Sequence, residues 1–510
     1  MSLLSSSDQQ FLTVLAELSY CNPFEPRRLE LEQAALGEDY QPEQYLAWSR
    51  KAITNETARP NVVRLTEKAD RLAVRLREAL SSSGKMKATE RQLYEDLIVY
   101  VLYYRWFAGN DPVATCSNKT SLGKLWRSFR QELDEFRGPK QLGLFAETTP
   151  EHLFACLHQV RRAFKYIFDC IYGDSLPAAR LRGTVWQSIF THDMRRYRRT
   201  LYKTMSDYST LITGPSGTGK ELVARAIALS QYVAFDPKQE CFVGQLQEGF
   251  IPINLSALSP TLIESELFGH CRGAFTGATA DRSGWLETCP SHGAVFLDEI
   301  GELDLAIQVK LLRVVQSRCY SRLGDTKERT FAGKIIAATN RNLAERMSEG
   351  YFRADLYYRL CSDHIQTPSL REQLSAHPEA LTSLVKIITE RVAGCETAEL
   401  AAEVESWISR EIPADYPWPG NIRELEQCVR NVLIRKQYVP WQPPADKVSE
   451  LPAWLEGVPE SNVTADELLR RYCTATYARL GSYEQTAKAL GLDRRTVKAK
   501  IDVELLESLR

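Results

Sequence analysis

At 510 residues the chain is too long for a single core and suggests roughly three domains, while 44% hydrophobic and 25% charged residues are the balance of ordinary globular protein. A formal net charge of -1 removes any bulk electrostatic argument for nucleic-acid binding, so such a claim must come from local sequence. The twelve cysteines contain no C-x-x-C pair, which argues against a zinc ribbon or a disulfide framework and fits a reducing cytoplasm.

The opening residues, MSLLSSSDQQF, carry neither a basic segment nor a long apolar one, so no signal peptide is expected. The most apolar helical run, residues 97–104, is too short to span a bilayer and is closed by Arg105, so no membrane association is expected. Residues 1–180 read as an all-helical, regulatory domain. Val62, Leu65, Ala69, Leu72, Leu76 and Leu80 recur at helical spacing, as do Leu153, Val160, Phe164, Ile167 and Ile171. Breaks are predicted at Asn22-Pro23, residues 81–84 and residues 109–112. His152, Cys156 and His158 do not share one helix face and are assigned to packing or surface roles rather than to a metal. The aromatic run Tyr100, Tyr103, Tyr104, Trp106 and Phe107 is read as helical core in preference to a ligand pocket. No acidic cluster follows a strand, which disfavours a receiver-type input domain.

From Gly183 an α/β alternation is predicted. Residues 211–220 read LITGPSGTGK, joining an apolar β-type run to a Gly-rich turn and then to an amphipathic helix from Glu221. In such a loop Gly214, Gly217 and Gly219 let backbone N–H groups converge on a phosphate, with Pro215, Ser216 and Thr218 between them, and Lys220 reaches the β- and γ-phosphates. Glu221 stands where a Ser or Thr hydroxyl usually meets Mg²⁺. A strand at 250–254 is followed by SELFGHCRGAFTGA at 265–278, and an apolar strand at 294–297 delivers Asp298 and Glu299 at its C-terminal end. Two carboxylates there divide the labour of phosphoryl chemistry: one holds Mg²⁺ and the other orients the attacking water. The strand at 334–338 ends in Thr339 and Asn340, a polar pair suited to feel the γ-phosphate. Arg353 and Arg359, in YFRADLYYRL, are candidates for an arginine that neutralises transition-state charge, which a neighbouring subunit can supply.

These motifs, together with KLLRV, AATNRNL and WPGNIRELE, occur in the order seen in the sigma-54-dependent transcription activators, and residues 183–438 resemble that family of AAA+ bacterial enhancer-binding proteins. The resemblance implies that Lys220 binds the phosphates of ATP, Asp298 holds Mg²⁺ and Glu299 activates water. It further implies that Asn254 restrains the catalytic Glu and couples it to nucleotide state. Thr339 and Asn340 resemble sensor I, Arg353 and Arg359 the trans-acting fingers, and Arg423 sensor II. Glu after the P-loop lysine is usual in the family, so Glu221 is no anomaly. Two departures stand out: Asn254-Leu255-Ser256-Ala257 replaces the usual Asn-Cys-Ala-Ala, and residues 230–249 are longer than expected. Gly273, Ala274, Phe275, Thr276, Gly277 and Ala278 form the loop that implies contact with sigma-54 RNA polymerase; its glycines allow a mobile tip that exposes the Phe275 ring and the Thr276 hydroxyl. Residues 320–331 would be a second pore-side loop.

Residues 183–371 are thus expected to form the α/β ATPase subdomain and 372–438 its helical lid. A Pro-rich linker (439–463) carries Pro440, Pro443, Pro444, Pro452 and Pro459. At 464–510, Thr464 and Glu467, then Ser482 and Gln485, have capping spacing, Gly481 and Gly491 are helix stops, and Asp493 can cap a third helix. Two short helices around Gly491, with Ala487, Leu490, Val497 and Ile501 inside, predict a helix-turn-helix. Arg494, Arg495, Thr496, Lys498 and Lys500 would face double-stranded upstream DNA; the segment resembles the Fis-type domain of these activators. The fold class expected is therefore multidomain: an all-α N-terminal domain, an α/β P-loop AAA+ core with helical lid, and a C-terminal helix-turn-helix. The expected protein is a cytoplasmic homo-oligomer, a hexameric ring by resemblance, that uses ATP and Mg²⁺ to remodel the polymerase. An AAA+ remodeller of another client, or a DNA-binding regulator with a vestigial ATP site, are the alternatives.

Overall fold

Apolar residues at helical spacing, closed by side-chain caps, build the first part of the chain. In the computed structural model, which describes residues 4–42, 59–83, 86–139, 142–394, 398–440 and 463–508, seven principal helices precede the first strand. They are α1 (Ser6–Tyr20), α2 (Arg27–Leu36), α3 (Pro60–Ser83), α4 (Ala88–Trp106), α5 (Lys119–Arg137), α6 (Pro150–Cys170) and α7 (Leu176–Phe190). Ser5 caps α1 through a reciprocal bond with Asp8, and Thr149 and Ser175 cap α6 and α7, each followed by a proline in the first helical turn. Leu65, Ala69, Leu72, Leu76 and Leu80 of α3 are buried in one core with α1, α2, α4 and α5. No helix among the described residues is long and apolar enough to cross a membrane.

The predicted onset of α/β structure at Gly183 is too early. Gly183 lies within α7, where its carbonyl accepts a hydrogen bond from Asn22 Nδ2 at 3.0 Å, and the first strand begins at Thr210. The helix continues through the glycine because α7 is buried on several sides at once, and that packing outweighs the modest cost of one helical glycine.

The sheet has five strands, all parallel: β1 (Thr210–Thr213), β2 (Phe250–Asn254), β3 (Ala294–Asp298), β4 (Lys334–Thr339) and β5 (Asp363–Gln366), in the order β5-β1-β4-β3-β2. The central strands β3 and β4 are almost entirely buried, as their unbroken apolar runs require. Between β1 and β2 runs α8 (Lys220–Leu229), and α9 (Leu370–Ala376), α10 (Ala380–Ala393), α11 (Ala398–Glu411) and α12 (Asn421–Arg435) follow the sheet.

The N-terminal helices are continuous with this core. Ala163, Ile167 and Phe168 of α6 share a buried cluster with Val223, Ala224 and Ile227 of α8 and with Ile212, Ile336 and Ile365 of the sheet. Polar bonds follow the same seam: Gln159 Nε2 donates to Ser230 O at 2.9 Å, Arg162 to the Gln231 carbonyl, and Ser188 Oγ to Asp363 Oδ2 at 2.5 Å. The long segment at 230–249 finds its reason here. It forms a short antiparallel hairpin (Phe235–Asp236 with Cys241–Phe242) whose Phe235 and Phe242, with Val233, complete the N-terminal core. Phe235 lies 4.9 Å from Trp126 and 4.7 Å from Phe154, and Phe242 lies 4.5 Å from His158. His158 is thereby committed to packing, and His152 bonds Tyr232 Oη and the Arg198 carbonyl, each at 2.8 Å.

The chain divides into two compact units, 1–437 and 438–510. The second contains α13 (Ala465–Leu480), α14 (Tyr483–Leu490) and α15 (Arg494–Lys500), followed by a last turn of helix. Thr464 Oγ1 caps α13 by accepting from Glu467 N, Asp493 caps α15, and Gly481 and Gly491 close α13 and α14 in the left-handed conformation. Cys473, Ala487 and Val497 are buried between the three helices. Of the predicted linker, residues 441–462 lie outside the described residues.

Candidate functional site

The Gly-rich loop leaves β1 with two turns that only glycine fits. At Gly214, with φ of +148°, a Cβ would stand 2.1 Å from Thr367 Oγ1; at Gly217, with φ of +77°, it would stand 2.2 Å from the carbonyl of Gly420. Gly219, also at positive φ, precedes α8, whose first residues turn the helix N-terminus toward the loop. Lys220 is buried, and its Nζ donates to the carbonyls of Gly214 and Pro215 at 3.0 and 3.2 Å. Burial lowers its pKa, partly offset by the carboxylates Glu299 and Asp298. Thr218 Oγ1 bonds the Pro215 carbonyl and Thr367 Oγ1. Glu221 points to solvent and pairs with Arg225 at 3.7 Å, so it does not face the loop's interior. A cradle that any side chain would fill, a lysine and a helix N-terminus together suit a polyphosphate.

Asp298 ends β3, beside Asn254 at the end of β2 in register. Burial raises its pKa, while the Glu299 N–H and Lys220 work against that rise. Glu299 takes a left-handed backbone at φ of +56°, which turns its side chain out of the strand direction; its Oε2 accepts from the Asn340 N–H at 3.5 Å. Neither carboxylate enters an ion pair among the described residues, an arrangement suited to a divalent cation. Thr339, fully buried at the end of β4 and opposite Thr213, accepts from the Arg341 N–H at 3.0 Å, while Asn340 is exposed. A cavity of about 510 Å³ opens beside these residues, lined by Ser256, Glu299, Glu302, Asn340 and Arg341 among others. Among the described residues no hydrogen bond joins Asn254 to Glu299. Asn254 Oδ1 instead caps the following turn, accepting from Ser256 N at 3.0 Å and Oγ at 2.8 Å.

The lid meets the loop directly. Asn421 Nδ2 donates to Ser216 O at 2.9 Å, Arg423 N to Gly217 O at 3.3 Å, and Arg423 Nη1 to Ser216 Oγ at 3.4 Å. Asn421 Oδ1 also takes the Leu370 N–H at 2.8 Å, so one side chain joins the loop, α9 and α12. Thr367 and Asn421 are site residues that sequence reasoning did not single out. Asn421 stood within the quoted WPGNIRELE motif, whereas Thr367 carries no local signal because it acts through a contact with a glycine more than 150 positions away.

Arg353 occupies the cap position at the start of the helix Ala354–Leu360 and Arg359 lies in its last turn, and neither bonds the loop, Asp298 or Glu299 of its own chain among the described residues. Arg353 is held by Asp355 at 2.7 Å, its backbone N–H by Gln308 Oε1 at 2.9 Å, while the Arg359 guanidinium is exposed and without an ion pair among the described residues. Tyr358, beside it, is 73% exposed.

At residues 273–278 the chain makes a closed turn, with Gly273 N bonding Ala278 O at 2.9 Å and Ala278 N bonding Phe275 O at 3.0 Å. Thr276 is exposed as expected. Phe275 is not: it is half-buried, its ring 5.0 Å from that of His270, because the edge of a nearby imidazole gives the ring a partner within the chain. Residues 320–331 pack at the base of this turn, with Cys271 N donating to Leu323 O at 3.0 Å, Leu323 N to Gly269 O at 2.9 Å, and the Gly324 position abutting Ala274. Arg322 and Arg329 both pair with Glu287, tying the second loop to the short helix Trp285–Thr288.

In the second unit, Arg494, Arg495, Thr496 and Lys498 share exposed positions on α15. Lys500 does not join them; its ammonium pairs with Asp466 of α13. Helical periodicity turns position 500 back toward α13, where a carboxylate in the first turn meets it.

Compared with known proteins, residues 189–366 match the family described as the Sigma-54 interaction domain. The chain is 41% identical over 229 residues to a sigma-54-dependent transcriptional activator, SfnR of Pseudomonas putida, covering 45% of this chain and 57% of that one. It is 36% identical over 307 residues to the transcriptional regulatory protein ZraR of Klebsiella oxytoca, covering 58% and 63%. It thus spans about three-fifths of the length of these relatives. A solved chain of NtrX from Brucella abortus aligns over 69% of this chain and 73% of its own at 25% identity, with a TM-score of 0.40. Over residues 189–366 the chain is thus similar to the sigma-54 interaction domain family.

Proposed function

We propose that the protein is a sigma-54-dependent transcription activator that couples ATP hydrolysis to remodelling of the RNA polymerase closed complex and binds upstream double-stranded DNA through α14 and α15 as a helix-turn-helix. The observation that carries the reading is the presence, inside one family-matched segment, of the loop around Lys220, the paired carboxylates Asp298 and Glu299, and the turn at 273–278.

In this mechanism the backbone N–H groups of residues 216–219 and the Lys220 ammonium hold the triphosphate, and Asp298 would hold Mg²⁺, which would supply charge neutralisation on the phosphates. Glu299 orients and polarises the attacking water, and Asn340, which donates to Glu299, links that carboxylate to the end of β4. Arg423 and Asn421 carry the loop's state to the lid. Arg353 and Arg359 act on the site of the next protomer, which makes the active form a ring, a hexamer by family resemblance. The helix Pro260–Phe268 starts beside the cavity at Glu299 and ends at the base of the 273–278 turn, a direct mechanical path from hydrolysis to the sigma-54 contact.

The test is ATP-dependent open-complex formation by sigma-54 polymerase, with ATPase assayed in parallel. The wild-type chain should open the promoter, and Thr276→Ala should hydrolyse ATP without opening it. Wild-type hydrolysis without opening would assign the motor to another client.

A further inference from the structure

His270 stands midway along SELFGHCRGAFTGA, five residues after Ser265 and five before Phe275, and the fold makes it touch both. The helix Pro260–Phe268 ends at Gly269, whose N–H bonds the Ser265 carbonyl and whose φ of +77° turns the chain back across the helix end. A Cβ there would stand 2.5 Å from Arg282 O, so only glycine makes this turn. The imidazole is thereby laid on the last turn of the helix. Its Nδ1 shares a hydrogen bond of 2.7 Å with Ser265 Oγ, and both residues are buried. The same ring meets that of Phe275 edge-on, with centroids 5.0 Å apart and planes 68° to one another.

The backbone of His270 is held from two sides. It pairs with Arg282, on the strand that leaves the 273–278 turn, and it bridges to Leu323 of the second loop. The stem of the turn is therefore fixed by main-chain bonds. The tip is built differently: a Cβ added at Gly273 or Gly277 would meet nothing within 4 Å, and Phe275 is the one large side chain among the six residues. The seat of that ring thus decides where the tip lies. Ser265, at the other side of His270, belongs to a helix whose far end faces the hydrolytic site, since Pro260 and Ile263 line the cavity that Glu299 also lines.

We propose that His270 is the positioning residue of the 273–278 turn, joined to the helix Pro260–Phe268 by one hydrogen bond and to the tip by one ring contact. A displacement at the Glu299 end of that helix carries Ser265 with it, the bond to Nδ1 carries the imidazole, and the imidazole carries Phe275 and the neighbouring Thr276. What the tip then contacts rests on the functional reading above, whereas the linkage itself does not. A histidine that only filled the core would act on stability and on hydrolysis together; a joint separates hydrolysis from what the tip does.

Three variants of the full chain cut the link at different points. Ser265→Ala removes the hydroxyl, His270→Phe keeps a ring beside Phe275 and loses the bond, and His270→Asn keeps a polar atom near the Nδ1 position and loses the ring. Hydrogen exchange read by mass spectrometry follows peptides that cover 214–219 and 273–278, with ADP and with the slowly hydrolysed analogue ATPγS. In the wild type, exchange at 273–278 should differ roughly threefold or more between the two nucleotides. Each variant should lose that difference and keep the protection that nucleotide gives to 214–219. Open complexes formed by sigma-54 polymerase per ATP hydrolysed should fall roughly fivefold or more in each variant, with kcat and KM for ATP within about twofold of the wild type. Circular dichroism checks each fold, and if a His270 variant does not fold, Ser265→Ala, which removes a single oxygen, decides together with the wild-type exchange. No nucleotide difference at 273–278 in the wild type, a difference retained in any folded variant, or hydrolysis lost in step with opening each overturns the proposal. A wild-type turn that responds to nucleotide through His270 in a chain that opens no promoter overturns the reading of the client and leaves the linkage standing.

Discussion

The ring of Phe235, from the segment that follows the P-loop helix, lies 4.9 Å from the ring of Trp126 in α5. The contact means that the motor donates part of the N-terminal core, so the two cannot separate without opening apolar surface to water.

Phe235→Ala removes a buried ring from that shared core and should destabilise the chain by about 3–5 kcal/mol. Chemical denaturation measures the loss. Hydrogen exchange should rise in both α6 and α8; a rise confined to the hairpin itself would mean that the seam between α6 and α8 holds without it.

Asn421→Gly keeps the left-handed backbone of the turn and deletes the bonds to Ser216 and Leu370. One lost buried bond is worth about 1–3 kcal/mol, and a 1.4 kcal/mol change is tenfold in binding. Titration with a fluorescent ATP analogue should show roughly a tenfold weaker complex; unchanged affinity would detach the lid from nucleotide binding.

Arg359→Ala and Glu299→Gln should each reduce ATP hydrolysis by roughly 10³-fold or more. Mixed together, they should recover activity, because some interfaces then join an intact Glu299 to an intact Arg359. Failure of every mixture to exceed the single variants would place Arg359 outside the neighbour's site.

Asp298 is pushed above its usual value near 3.8 by burial. With the folded value the higher one, its favourable contribution is complete below the unfolded value and is lost as pH rises through the folded one. Asp298→Asn removes that loss. Its melting temperature should exceed the wild type's at pH 7, and the two should converge below about pH 4; parallel curves across this range would mean a solvated carboxylate.

Arg495→Ala should weaken DNA binding and reduce the salt slope by about one unit, as for one phosphate contact. Lys500→Ala should leave the slope nearly unchanged, since Lys500 is engaged by Asp466. Equal slope changes for the two would return Lys500 to the DNA face.

What the sequence determined by itself is the chemistry that depends on neighbours a few positions away. Gly214 and Gly217 announce backbone that a Cβ would block, the apolar run before Asp298 announces a buried strand ending in carboxylate, and Thr464 and Asp493 announce helix starts. Each of these is decided by local sterics or hydrogen bonding, so spacing suffices to read it. Tertiary structure alone decided the rest: that Gly183 lies inside a buried helix, that Phe275 rests on His270, and that Lys500 turns to Asp466. It also decided that Phe235 and Phe242 belong to the N-terminal core. Those outcomes depend on side chains distant in sequence competing for the same partner, and the winner is set by packing in three dimensions, which no periodicity along the chain encodes.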